Sequence, residues 1–240
     1  MLSTETFISL KQFAHKALWQ EETPVWGALL SLKKYLKEQS SYQIEIEIPS
    51  GVFLSHPESI SIGSGTIIEP GVFIQGPCII GKNCVIRHGA YIRGDVVCGD
   101  RCHIGHCTEL KHSILLDEAC ATHFVYVGDS ILGNGVNLGA GVKCANLRLD
   151  RQGVRVVVDG KRIDTGLKKF GCVVGDGSQI GCNCVLNPGA LVGKGCFSYP
   201  LVNIKGHIPA QSVISSQGIE SVKPHILEQL LWQSKAIVSG

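Results

Sequence analysis

Eleven cysteines and nine histidines are the side chains of this 240-residue chain best suited to metal binding or nucleophilic work. Their densest run is Cys98-x3-Cys102-His103-x2-His106-Cys107, a set of thiolate and imidazole donors of the kind that hold zinc. Its spacing departs from the usual zinc pattern, in which two residues two to four apart are joined by a second pair elsewhere. His103, His106 and His112 belong to no motif and are expected at the surface. The cysteines are odd in number and scattered, so they outline no disulfide framework. Met1 to Phe7 has neither a basic n-region nor an apolar h-region. Reduced thiols and a cytoplasmic location are therefore expected.

The elements that must carry these residues follow from a period of six. Ile62, Ile68, Ile74, Ile80, Ile86, Ile92, Cys98, Ile104, Leu110 and Leu116 are evenly spaced. Four residues after each stands a small or β-branched residue, from Thr66 and Val72 through Cys78 and Cys84 to Cys120. The period returns as Val174, Ile180, Leu186 and Val192. A hexad forms one short strand and a turn, and it cannot bury its aliphatic alone. Stacking coils at strand spacing, about 4.8 Å, joins the aliphatics into ladders. Cys78, Cys84, Cys102, Cys120, Cys184 and Cys196 then take the small inward position, with Cys98 and Cys144 in the aliphatic column. They are core filling, and a zinc site would require four residues to leave the repeat.

Composition agrees with many short strands and tight turns: 29 Gly, 44% hydrophobic, 6% aromatic. Gly is costly inside helices and favourable at turns. A net charge of +2 is too balanced for a nucleic-acid surface, and no run of 18 apolar residues exists to span a membrane. The period breaks twice. From Thr122 to Leu132 ten residues stand where two hexads need twelve, and the polar stretch 146–171 contains no hexad. The second break reads as a loop, with a hairpin in it, ejected from the solenoid. Phe7 to Lys37 fits two amphipathic helices broken at Thr23-Pro24, serving to cap an open coil end. Residues 43–48 alternate as a short strand. The expected organisation is an N-terminal helical segment over 1–48, a solenoid over 49–218, and a C-terminal helix over 219–240.

The repeat resembles the hexapeptide-repeat family, which implies an all-β, left-handed parallel β-helix of triangular section. One run narrows the resemblance: His123-x2-Tyr126-x-Gly128-Asp129, then Asn137-Leu-Gly-Ala140-Gly, then Ala-Asn146-Leu. It is similar to the acetyltransferase domain of bifunctional glucosamine-1-phosphate acetyltransferase / N-acetylglucosamine-1-phosphate uridylyltransferases, particularly the archaeal sugar-phosphate version. The resemblance covers about residues 60–200. It implies that His123 is the general base and that Asn146 supports it and the acyl carbonyl. Tyr126 and Asn137 would contact the sugar phosphate. Arg93, Lys111 and a neighbouring subunit's Lys169 would hold its phosphate. Ala140, Cys182 and Pro200 would line an acetyl-CoA groove between subunits of a homotrimer.

The chain departs from that pattern in three places. Leu147 replaces a tyrosine, Gln217 stands at the spacing of an arginine for the CoA phosphate, and the Gly-rich nucleotidyltransferase loop is missing. Acetyl transfer from acetyl-CoA to an amino-sugar 1-phosphate is therefore expected, without uridylyl transfer. The alternative is a non-catalytic scaffold that partners a separate nucleotidyltransferase. A γ-type carbonic anhydrase is disfavoured because the histidines beyond His103 do not repeat at coil-related spacing.

Overall fold

The computed structural model describes residues 2–39 and 41–221. The chain winds as a left-handed parallel β-helix whose strands stack into three sheets, one per side of a triangular prism. The first face runs from Phe53–Ser55 through Glu109–Lys111 and Tyr126–Gly128 to Asn203–Ile204. The second runs from Ile60–Ile62 to His207–Ile208, and the third from Ile67–Ile68 through Cys120–His123 to Ser212–Ser215. Parallel register joins each strand to the one a full coil away, as in Ile74 with Ile92 and Ile92 with Leu110.

The expected ladders of Ile62 to Leu110 occupy the central core. Burying each such side chain contributes about 1.5–3 kcal/mol. The small inward position does more than fill space. Thr66 Oγ1 donates to the Gly81 carbonyl at 2.8 Å, Cys84 Sγ to Gly99 at 3.2 Å and Cys102 Sγ to Leu116 at 3.1 Å. Hydroxyls and thiols thus bond corner carbonyls of the next coil, which lie turned away from water. Burial pushes the Cys78 thiol up to about 12, and Cys98 well above its ordinary value.

The phase of the repeat slips before the sequence suggests. Leu115, not Leu116, pairs with Cys98 and enters the core, while Leu116 packs outside it. Cys120 moves with the slip: it is buried beside His103, but the core position belongs to Ala119. Cys172, two residues before Val174, takes the small inward position in register with Ala190. The two residues missing from the period are lost at two separate five-residue steps, Leu110 to Leu115, ahead of the ten-residue interval, and Val127 to Leu132 within it, each in a 17-residue coil. Both short steps turn the corner from the first face to the second.

The N-terminal segment differs from the expectation. Only Gly27–Lys37 is a regular helix of length; Thr4–Phe7 and Lys16–Leu18 are single turns. Between them, tertiary bonds override the helical period. Asp176 N donates to the Phe7 carbonyl at 2.9 Å, and Ser9 N donates to Asp176 Oδ2 at 2.7 Å. The segment also does not cap an end. Leu29, Leu32, Phe13 and Trp26 form a second core against Ile79, Val97, Ile114, Ile131 and Leu191, along the middle strands of the second face. Instead Ile44, Ile46 and Ile48 pack on the open end of the central core, with a single bridge, Ile44 to Ile62, where a strand was expected. At the other end Gly218–Ser221 folds back antiparallel on Ser212–Ser215. The C-terminal helix expected over 219–240 therefore begins in a strand, and the rest lies outside the described residues.

The insertion 146–171 leaves and re-enters at one corner. Phe170 N donates to the Asn146 carbonyl at 2.9 Å, and Gly171 N donates to the Asp129 carbonyl at 2.8 Å. Within it Arg155–Val158 and Lys161–Asp164 pair as the expected hairpin. Asp159 and Gly160 both have positive φ, as a two-residue type I′ turn requires.

Candidate active site

His123 ends a third-face strand at the corner leading to the first face, and its side chain is exposed. The corner is built the same way in every coil: one extended residue, then one in the left-handed region. Phe124 has φ +52°, Gly141 +73°, Asn183 +55° and Leu201 +63°. Each left-handed residue donates its N–H to the corner residue one coil below: Phe124 to His106, Gly141 to His123, Asn183 to Ala140, Leu201 to Cys182, at 2.9, 2.9, 2.8 and 2.9 Å. His123, Ala140, Cys182 and Pro200 therefore form one continuous column. The three groove residues named from sequence lie directly above the base named from sequence. At Gly141 a Cβ would meet Asn183 Oδ1 at 2.1 Å, so a side chain there would have to displace the Asn183 side chain.

Below His123 the same column holds His106 and His88. His123 pairs in register with His106, whose ring stacks on His88 at 6.0 Å. The 17-residue coil makes His106 and His123 coil-related, which the sequence spacing concealed. Among the described residues no three His, Cys, Asp or Glu side chains converge to hold a metal ion. Cys98 and Cys102 are in the core, away from exposed Cys107.

A second cluster occupies the opposite edge of the first face. Tyr126 pairs with Glu109, and Arg93 and Lys111 share one column a coil apart. Lys111 Nζ lies 3.0 Å from Asp129 Oδ2, and His112 Nδ1 lies 3.1 Å from Asp129 Oδ1. Asn146 Nδ2 donates to the Tyr126 hydroxyl at 3.2 Å and to Asp129 Oδ2. Asp129, only 4% exposed, is thus the hub of the cluster. Burial alone would raise its carboxyl, but His112, Lys111 and Asn146 outweigh this and hold it below its ordinary value. Burial raises the Tyr126 hydroxyl, and the nearby Glu109 and Asp129 charges raise it further.

The short corners explain the cluster. His112 and Asp129 turn these corners with left-handed φ of 47° and 48°, and the backbone bond from Asp129 N to the Lys111 carbonyl sets the Lys111–His112 corner beneath Asp129. Sequence reasoning assigned no role to Asp129 and put His112 at the surface; its ring is in fact turned to the hub, 12% exposed. Glu109 was also missed; it pairs with Arg93 at 2.6 Å. The signal for Asp129 was the Gly128-Asp129 pair within the motif, sitting on a break in the period.

The expected site residues fall into two groups. Arg93, Lys111, Tyr126 and Asn146 are together on the first face. Lys169 is exposed at the base of the insertion, next to the Phe170–Asn146 closure. Asn137 is on the third face, in register with Cys120, three residues back along the strand from His123. That is about 10 Å at strand rise. His123 stands on the ridge between the faces. Asn146 bonds to Tyr126 and Asp129 rather than to His123.

Comparisons with known proteins agree with this architecture. Residues 74–170 match the family described as the GMPPB C-terminal domain. Over 195 residues the chain is 33% identical to the uncharacterized acetyltransferase YaiX of Escherichia coli O6:K15:H31, covering 80% of this chain and 84% of that protein. Over 88 residues it is 40% identical to a bifunctional sugar-1-phosphate nucleotidylyltransferase/acetyltransferase of Sulfurisphaera tokodaii, 37% of this chain and 22% of the relative. The chain thus spans about a fifth of the length of such bifunctional relatives. In fold it is similar to the UDP-N-acetylglucosamine acyltransferase of Francisella novicida, with a TM-score of 0.56 at 15% identity, over 77% of this chain and 75% of that one.

Proposed function

Since this chain belongs to the hexapeptide-repeat acetyltransferases, we propose that it moves an acetyl group from acetyl-CoA to the amine of an amino-sugar 1-phosphate. The observation that carries this reading is the corner column, exposed His123 directly below Ala140, Cys182 and Pro200, with the polar cluster of Tyr126 and Lys111 across the first face. His123 takes a proton from the amine as its lone pair attacks the thioester carbonyl. The C–S bond then breaks, the CoA thiolate leaves and is protonated, and an N-acetyl product remains. A histidine suits the step because its proton affinity lies near ambient pH. The acyl donor lies along Ala140, Cys182 and Pro200.

Arg93, Lys111 and Lys169 bind the phosphate; an arginine fork and lysine point charges complement its oxygens. Tyr126 and Asn137 orient the sugar, and Asn146 fixes Tyr126. First- and third-face residues point from different sides of one prism. A site using both is completed by a neighbouring copy, which supports a homotrimer. Eleven free cysteines support a cytoplasmic location; among the described residues no helix is long and apolar enough to cross a membrane.

Thiol release from acetyl-CoA is measured with glucosamine-1-phosphate and with galactosamine-1-phosphate. Acceptor-dependent release with either supports the reading; release with neither overturns the substrate class. A second reading, a scaffold that partners a separate nucleotidyltransferase, is favoured by the pairing of Arg93 with Glu109 and Lys111 with Asp129, and by Leu147 and Gln217 in place of the expected side chains. Calorimetry separates the two: a chain that binds no acetyl-CoA is the scaffold.

A further inference from the structure

We propose that the hairpin of the insertion is a phosphoryl-binding site, separate from Arg93 and Lys111. The 146–171 stretch holds seven Lys or Arg against three Asp, a net +4, in a chain whose total is +2. The remaining residues therefore sum to −2, and the positive charge of the molecule is concentrated on this one element. Arg148, Arg155, Arg162 and Val157 line a cavity of about 250 Å³ there, with no carboxylate in its wall.

Strand alternation builds the cavity. Val154 and Val156 are buried against the second core, 0% and 1% exposed, which turns Arg155 and Val157 to the opposite side. Val157 pairs with Arg162 across the hairpin, so both arginines share that side. The strand is pinned below: Val154 N donates to the Leu167 carbonyl at 2.8 Å, and Thr165 Oγ1 donates to the Val154 carbonyl at 2.6 Å. Arg148 enters from the first turn of the insertion, paired with Asp150. Arg155 stands opposite Asp164, yet neither Arg155 nor Arg162 forms an ion pair among the described residues.

Arg155 and Arg162, gathered on one concavity with no ion pair of their own, repel one another unless an anion joins them, whereas Arg148 is held there by Asp150. A phosphoryl group offers several oxygens to such planar forks, and the fit is bidentate. The cavity accommodates a phosphate or diphosphate over the Val157 side chain. The insertion leaves and re-enters beside the Asn146–Asp129 cluster, and its hairpin packs on the second face, which places the cavity on the side of the molecule next to that cluster. The phosphoryl group comes either from the acceptor or from the nucleotide end of the acyl donor.

The test is calorimetric titration of the full chain with inorganic pyrophosphate, then with glucosamine-1-phosphate and with adenosine 3′,5′-bisphosphate, without turnover. It compares wild type, Arg155→Gln/Arg162→Gln, Arg162→Glu and, as a control, Arg101→Gln, an exposed arginine paired with Glu118 at another corner. Pyrophosphate is expected to bind the wild type and Arg101→Gln alike, with affinity falling as salt rises. Binding is expected to weaken at least tenfold in both hairpin variants. Whichever second ligand shares that loss is the source of the phosphoryl group. Equal binding by wild type and hairpin variants, or an equal loss in Arg101→Gln, overturns the proposal. Both hairpin arginines are exposed, and matching thermal melts verify folding. Because no acetyl transfer is read, failure of the acetyltransferase reading is seen separately.

Discussion

At the scale of single residues, the centre of the first-face cluster is Asp129, not one of the cations expected to hold phosphate. Its carboxylate gathers Lys111, His112 and Asn146, and Asn146 in turn holds Tyr126. Asp129→Asn keeps the size and removes the charge. We expect a loss of about 1–3 kcal/mol at pH 7, from the half-buried lysine left without its partner. The pH dependence has a definite sign. The folded-state carboxyl is held below its ordinary value, so its contribution is complete above an unfolded-state pKa of about 3.9 and is lost as pH falls through the lower folded value. Thermal melts of wild type and Asp129→Asn should differ at pH 7 and draw together progressively as pH falls below about 3.9; a gap that stays constant in acid would refute the role. The residue types of this cluster were legible in the motif, but their pairing was not. It depends on a corner shortened by one residue, and the side-chain pattern alone does not say where a coil is shortened.

At the scale of elements, the two ladders of the core were readable because burial repeats once per hexad, whereas the N-terminal segment misled for a physical reason. Helical spacing of Leu10, Phe13 and Leu18 satisfies a period, but these residues pack on a long flat sheet that an extended chain can also cover. Bonds to Asp176 and Asn134 fix that extended path. The helix Gly27–Lys37 covers the outer side of the second face, where Ile79, Val97 and Ile131 are otherwise exposed. Leu32→Ala, fully buried there, should cost about 2–5 kcal/mol. Hydrogen exchange should then speed along the second-face strands rather than at one end of the coil stack. Faster exchange confined to the first coil would instead restore the capping role. The hairpin was foreseeable from Asp159-Gly160, while its arginine-lined side needed the register of its two strands.

At the scale of the whole molecule, the narrow prism decides which thiols are accessible. Among the described residues Cys107 and Cys182 are the exposed cysteines and the other nine are buried. Native protein should react with a maleimide at two sites, against eleven after denaturation, as read by peptide mass mapping. Acetyl-CoA should protect Cys182, in the column above His123, and leave Cys107 reactive; protection of neither would remove the donor from that corner. The corner itself gathers base and groove from residues 17 to 77 positions apart in the chain, His123 to Ala140 and His123 to Pro200, which only the coil length brings together. The central claim is that His123 does the proton transfer at this corner. It is tested most directly by measuring acetyl-CoA binding and acceptor-dependent thiol release side by side for wild type and His123→Ala. Unchanged binding with release slowed at least a hundredfold is the predicted result. Unchanged release in His123→Ala would contradict it.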